Sequence, residues 1–148
     1  MSDGTYRFLD SEEALNHFLE CFERGTWPKP EWNHAAHIAV AGCYLIRYPD
    51  QEAAQRASSG IRHYNQCTGT INSDHSGYHE TLTLFWLALV KARLRQRKPD
   101  GARIDAVRML VAEFAPQRDL FREYYGFDVV RSVEARRTWM PTELKPLP

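Results

Sequence analysis

Apolar residues along this chain recur three and four apart, the spacing of one face of an α-helix, and no stretch alternates convincingly as a strand would. Leu15, Phe18, Leu19 and Phe22 form the first such stripe. Ser11 ahead of Glu12 and Glu13 provides an N-cap and an acidic first turn, and Gly25 stops the helix. Trp27-Pro28-Lys29-Pro30 then predicts a rigid connector, because two prolines forbid helix there. A second helix is predicted from about Glu31 to Tyr48. Its Ala35, Ala36, Ile38, Ala39, Val40, Ala41, Cys43, Leu45 and Ile46 leave almost no polar face, and such a helix belongs inside a domain. Pro49 and Asp50 open a third helix, Gln51 to about Cys67, in which Ser58-Ser59-Gly60 is weak helix chemistry and predicts a kink or a close approach.

Gly69 to Gly77, with Asn72, Ser73, Asp74 and Ser76, reads as a loop. The fourth helix is predicted from near Tyr78 to near Arg97. It has no charge between Glu80 and Lys91, so its first three turns are expected to be buried. Pro99-Asp100-Gly101 reads as a turn. Ile104, Val107, Val111 and Phe114 define a fifth helix closed by Pro116. Asp119 to Tyr125 is expected to be helical and stopped by Gly126, and Ser132 to Trp139 to be a helix capped by Ser132. The tail from Pro141 to Pro148 is expected to lie extended on the surface. The pattern predicts a single all-α domain over residues 1–148, an antiparallel helical bundle of about five main helices with short C-terminal helices.

Composition narrows the function more than the fold. A chain of 148 residues can bury a core without disulfides or structural metal. A formal net charge of +0 gives no global pull toward nucleic acid or an anionic membrane, and neither is expected as a partner. Cys21, Cys43 and Cys67 are odd in number and far apart, which argues against a disulfide framework or a cysteine zinc site. They read as small buried hydrophobes of a reducing compartment, with no base at helical spacing to activate them. The start, Met1-Ser2-Asp3-Gly4-Thr5-Tyr6-Arg7, lacks the pattern of a signal peptide. The longest apolar stretch, Thr81 to Val90, is short of the ~20 residues that span a bilayer, so the expected location is the cytoplasm.

The candidate chemistry sits at the starts of the two most apolar helices. In Trp32-Asn33-His34-Ala35-Ala36-His37, the two histidines are three apart and share a face, which Ala41, Tyr44 and Tyr48 continue. Tyr78-His79-Glu80-Thr81 opens the fourth helix. Packing the two helices side by side would bring the histidines together. His34, His37 and His79 would then hold one divalent ion, with Glu80 as general base on zinc-bound water. With ferrous iron, Glu80 would itself be a ligand; manganese is a third option. Glu31-x-x-His34 has no second copy, so a di-iron centre fits poorly. Arg62 and Asn65, three apart on the third helix, could hold a carboxylate or phosphate of a substrate, with Tyr44 as a further contact. Arg136 reads as a pin for the C-terminal segment, His17 and His63 as surface residues, and His75 as a fourth participant or part of a lid. The structural alternative is that histidines near helix starts are hydrogen-bonded core or cap residues.

These motifs resemble those of an uncharacterised family of short bacterial all-helical proteins. The resemblance rests on Trp32-Asn33-His34-Ala35-Ala36-His37, on Gly60-Ile61 with Tyr64-Asn65 and Gly69, on Gly77-Tyr78-His79-Glu80-Thr81-Leu82-Thr83, and on Ser132-x-x-Ala135-Arg136-x-x-Trp139. Thr142 departs from it, standing where an acidic residue usually follows the tail proline. The resemblance implies an all-helical fold and supports the choice of site; it implies no reaction. The first reading is therefore a mononuclear metal-dependent enzyme acting on a small polar substrate. The alternatives are a metal-free module that binds a small ligand, and a dimeric interaction protein with a structural histidine cluster.

Overall fold

A computed structural model describes residues 6–97 and 101–148. The segment 98–100, on which most of the expected Pro99-Asp100-Gly101 turn falls, lies outside the described residues. The helices are α1 (Glu12–Arg24), α2 (His34–Arg47), α3 (Asp50–Thr68), α4 (Glu80–Arg97), α5 (Arg103–Phe114) and the short α6 (Val133–Arg137). Among the described residues there is no strand, only an isolated bridge between Ser73 and Ser76. The fold is all-α, as the periodicity predicts.

Helix boundaries follow local chemistry. Ser11 Oγ accepts a 3.0 Å hydrogen bond from the Ala14 amide and starts α1. Gly25 ends it at φ 76°, where a side chain would be strained and an added Cβ would collide with Cys67. The second helix begins three residues later than its apolar pattern suggests. Pro28 and Pro30 hold residues 29–31 in a 3-10 turn, and Asn33 is the true cap, its Oδ1 accepting from the Ala36 amide at 2.9 Å. The third helix runs unbroken through Ser58-Ser59-Gly60. Of the two expectations there, close approach is the one realised, since a Cβ on Gly60 would come within 2.9 Å of the Phe22 ring. Residues 120–123 form only a 3-10 turn, and α6 stops at Arg137, short of Trp139. The tail lies extended and is tied down: the Glu143 and Leu144 amides both donate to the Tyr124 carbonyl at 3.0 Å.

The most apolar helix is the centre of the molecule. Nine of the 14 residues of α2 are buried, and it packs against α3, α4 and α5, with Gly42 seated against Leu110. The α4 expectation needs correction. Thr81, Phe85, Leu87, Leu89 and Val90 are buried, but Leu82, Thr83 and Trp86 are only half-buried, because that side of the helix faces a cavity instead of packed protein. No helix among the described residues is long and apolar enough to cross a membrane.

Candidate ligand-binding cavity

Between α2, α3, α4 and the segment that follows α5 lies a cavity of about 640 Å³. His34, His37 and His79 all border it, so the two oily helices do meet as their motifs suggest. Trp32 and Trp86 supply aromatic walls, and Ala41 and Ala57 keep the interior open.

His37 sits half-buried on the first turn of α2, its ring centroid 4.0 Å from that of Trp32. Its Nδ1 lies 2.8 Å from the Asn33 carbonyl oxygen. A carbonyl only accepts, so Nδ1 carries the proton and Nε2 offers a lone pair. Burial pushes the pKa down to about 4, against the pull of the Asn33 carbonyl, and nearby His34 adds to the depression. His34 is the mirror case. Its Nε2 donates to the Phe114 carbonyl at 3.1 Å, which leaves Nδ1 as the acceptor, and its ring meets Trp86 edge to face at 4.5 Å. Burial again lowers its pKa; the Phe114 carbonyl opposes this, and the Arg118 guanidinium reinforces it. Both imidazoles are therefore neutral near pH 7. The buried side-chain nitrogen and oxygen atoms without a partner, among the described residues, are Arg93 Nε, Glu113 Oε1 and Arg136 Nε. The second nitrogens of His34 and His37 are thus accessible, not sealed in protein, on rings that border the cavity.

His79 is built differently. Its Nδ1 accepts the Leu82 amide at 3.2 Å, capping α4, while its Nε2 donates to the Val129 carbonyl at 2.8 Å. Both ring nitrogens are engaged. Its neighbours in the motif do the same kind of work. Thr81 Oγ1 donates to the Thr138 carbonyl at 2.8 Å and accepts the Met140 amide at 3.0 Å. Tyr78 Oη donates to Glu80 Oε1 at 2.6 Å. From the other side Arg136 pins the loop, donating to the Gly77 carbonyl at 2.8 Å and to the Val130 carbonyl at 3.2 Å. The second motif is therefore a clasp between the start of α4 and the C-terminal segment.

The three histidines do not offer three free lone pairs in this arrangement. A ligating imidazole needs a free lone pair, and His79 has none. No group of three or more His, Cys, Asp or Glu side chains that could hold a metal ion occurs among the described residues. Glu80, expected as general base, does not border the cavity and holds Tyr78 instead. Tyr44, expected at the substrate, points away and donates to Glu23 Oε2 at 2.6 Å. Arg62 is exposed and lies over the Tyr78 ring at 4.4 Å, outside the lining. Asn65 alone of those three borders the cavity, where its Nδ2 donates to Asn72 Oδ1 at 2.9 Å and steadies the loop. His75 is exposed on that loop and is not part of the lining.

Sequence reasoning passed over Trp86, Arg118, Asp119 and Arg122, all of which line the cavity. Trp86 lies seven residues beyond His79, so its helical phase could have found it. The three residues after α5 belong to an irregular segment that carries no periodicity. The cysteine expectation also changes. Only Cys43 is buried, and Cys21 and Cys67 each have a base one helical turn earlier, with His17 Nε2 at 3.5 Å and His63 Nε2 at 3.4 Å.

No family model, curated protein or solved structure matches the chain.

Proposed function

We propose that this chain is a metal-free binding module for a small, flat, mainly apolar molecule that carries a hydrogen-bond donor. One observation carries the reading: His34 and His37 each have their N–H tied to a backbone carbonyl, which leaves each a neutral lone pair at the border of the same aromatic-walled cavity. Such a pair asks for donors. A ligand hydroxyl satisfies one of them and a primary amine has donors for both, while an apolar ligand without either leaves two acceptors unpaired, a loss of about 1–3 kcal/mol for each that is buried. The cavity volume is that of ordinary small-molecule sites.

The test uses phenol and its methyl ether, anisole, against chelator-treated protein, with tryptophan fluorescence as readout because Trp32 and Trp86 line the cavity. Phenol is expected to bind saturably and about tenfold more tightly than anisole, the worth of one hydrogen bond. His37→Leu should bring the two ligands to parity. Equal binding of phenol and anisole by the unaltered protein, or saturation only after zinc or iron is restored, would overturn the proposal.

A further inference from the structure

The mouth of the cavity adds a charge requirement that the histidines do not explain. Arg118, Asp119 and Arg122 all line it and all three are exposed. Asp119 is the sole acidic side chain among the described lining residues. Arg122 approaches it loosely, with Nε 3.9 Å from Asp119 Oδ1, and the Arg122 guanidinium rests 4.9 Å over the Phe121 ring. Arg118 has no ion pair or side-chain hydrogen bond among the described residues. The lining thus holds two guanidiniums against one carboxylate, one positive charge in surplus, on a chain whose formal net charge is +0.

The chain also ties that charge to the histidines. His34 is bonded to the carbonyl of Phe114, at the end of α5 just before the arginine segment, and His34 and Arg118 line the same cavity. His37 lies one helical turn farther along α2, against Trp32. The lining therefore combines a lone pair at His37, aromatic walls and a cationic rim at Arg118 and Arg122.

We infer that the ligand class is a planar hydroxyaryl carboxylate, its hydroxyl donated to the His37 lone pair and its carboxylate held at the Arg118–Arg122 rim. This rests on the binding reading above and names the ligand within it. Guanidinium is the side chain best shaped to accept a carboxylate in paired hydrogen bonds. One surplus charge matches a carboxylate better than a phosphate ester, which carries close to two charges near pH 7.

The experiment compares para-hydroxyphenylacetate, its methyl ester and phenyl phosphate on the full chain after chelator treatment, at low salt, by calorimetry. The acid is expected to bind about tenfold more tightly than the ester, and the advantage should shrink as salt screens the exposed guanidiniums. In the Arg118→Gln/Arg122→Gln double variant the acid should lose that advantage. In Arg137→Gln, which alters an arginine paired with Asp74 outside the lining, it should keep it. Equal affinity for acid and ester, a preference that survives the double variant, or tightest binding of phenyl phosphate would each overturn the inference while leaving a binding cavity. Failure of all three probes to bind would remove the binding reading as well.

Discussion

Replacing His79 with alanine is expected to destabilise the protein by about 3 kcal/mol. The change removes the cap on α4, worth about 1 kcal/mol. It also strands the carbonyl of Val129, a residue only 1% exposed, at roughly 1–3 kcal/mol for an unpaired buried acceptor. In a domain of this size the thermal midpoint should fall by roughly 10 °C. His79→Asn separates the two contributions. Asparagine can still accept the Leu82 amide but is too short to reach Val129, so it should recover about 1 kcal/mol. Denaturant titration of the three proteins checks this. A His79→Ala protein of unchanged stability that nevertheless binds no ligand would mean that the ring serves the ligand, not the clasp.

Acid is expected to remove about 3 kcal/mol of stability through His37 alone. Its pKa is about 4 in the folded chain, below its ordinary value of 6.5. Because the folded value is the lower one, the unfolded chain takes up the proton first as pH falls. The contribution is fully present above pH 6.5, shrinks progressively between 6.5 and 4, and is gone below that. At about 1.4 kcal/mol for each pH unit of that window, the magnitude follows. His34, also held neutral by burial, acts in the same direction. Several carboxylates, Glu12, Glu31 and Asp74 among them, have lowered pKa values and lose their own contributions in acid, so the comparison must be internal. Urea unfolding of the unaltered chain and of His37→Asn at a series of pH values isolates the histidine. The stability of the unaltered chain relative to His37→Asn should fall by about 3 kcal/mol as pH drops from 6.5 to 4, and a constant difference would contradict a ring held neutral in the folded chain.

The helices were legible because burial imposes a period, and the capping residues Ser11 and Gly25 mark where that period stops. Where prolines interrupt, the apolar pattern overran the helix: it claimed Glu31 to Asn33 for α2, and only the asparagine cap marks the true start. The place of the cavity was equally legible. Two polar clusters at the heads of two oily helices demand partners, and packing those helices together brings the three histidines to one cavity. The roles were not. His34 and His79 look alike in sequence, each a histidine at the head of an apolar helix. What separates them is whether the second ring nitrogen finds a backbone amide, and that depends on cap geometry and on Val129, fifty residues away. Glu80 and Tyr44 were assigned to the site by proximity along the chain, yet neither borders the cavity: Glu80 accepts from Tyr78, and Tyr44 donates to Glu23. Arg118 and Arg122 had no signal at all, because exposed arginines in an irregular segment look the same wherever they point.

The most direct test is the protonation state of each imidazole nitrogen in the chelator-treated protein at pH 7, read by long-range proton–nitrogen NMR correlation. His37 should show a protonated Nδ1 and a bare Nε2, and His34 the reverse. His79 should carry its proton on Nε2, and titrating zinc should not shift its nitrogens together with the other two. Two protons on the His37 ring at that pH, or zinc capturing all three rings at one equivalent, would contradict a cavity built on neutral lone pairs.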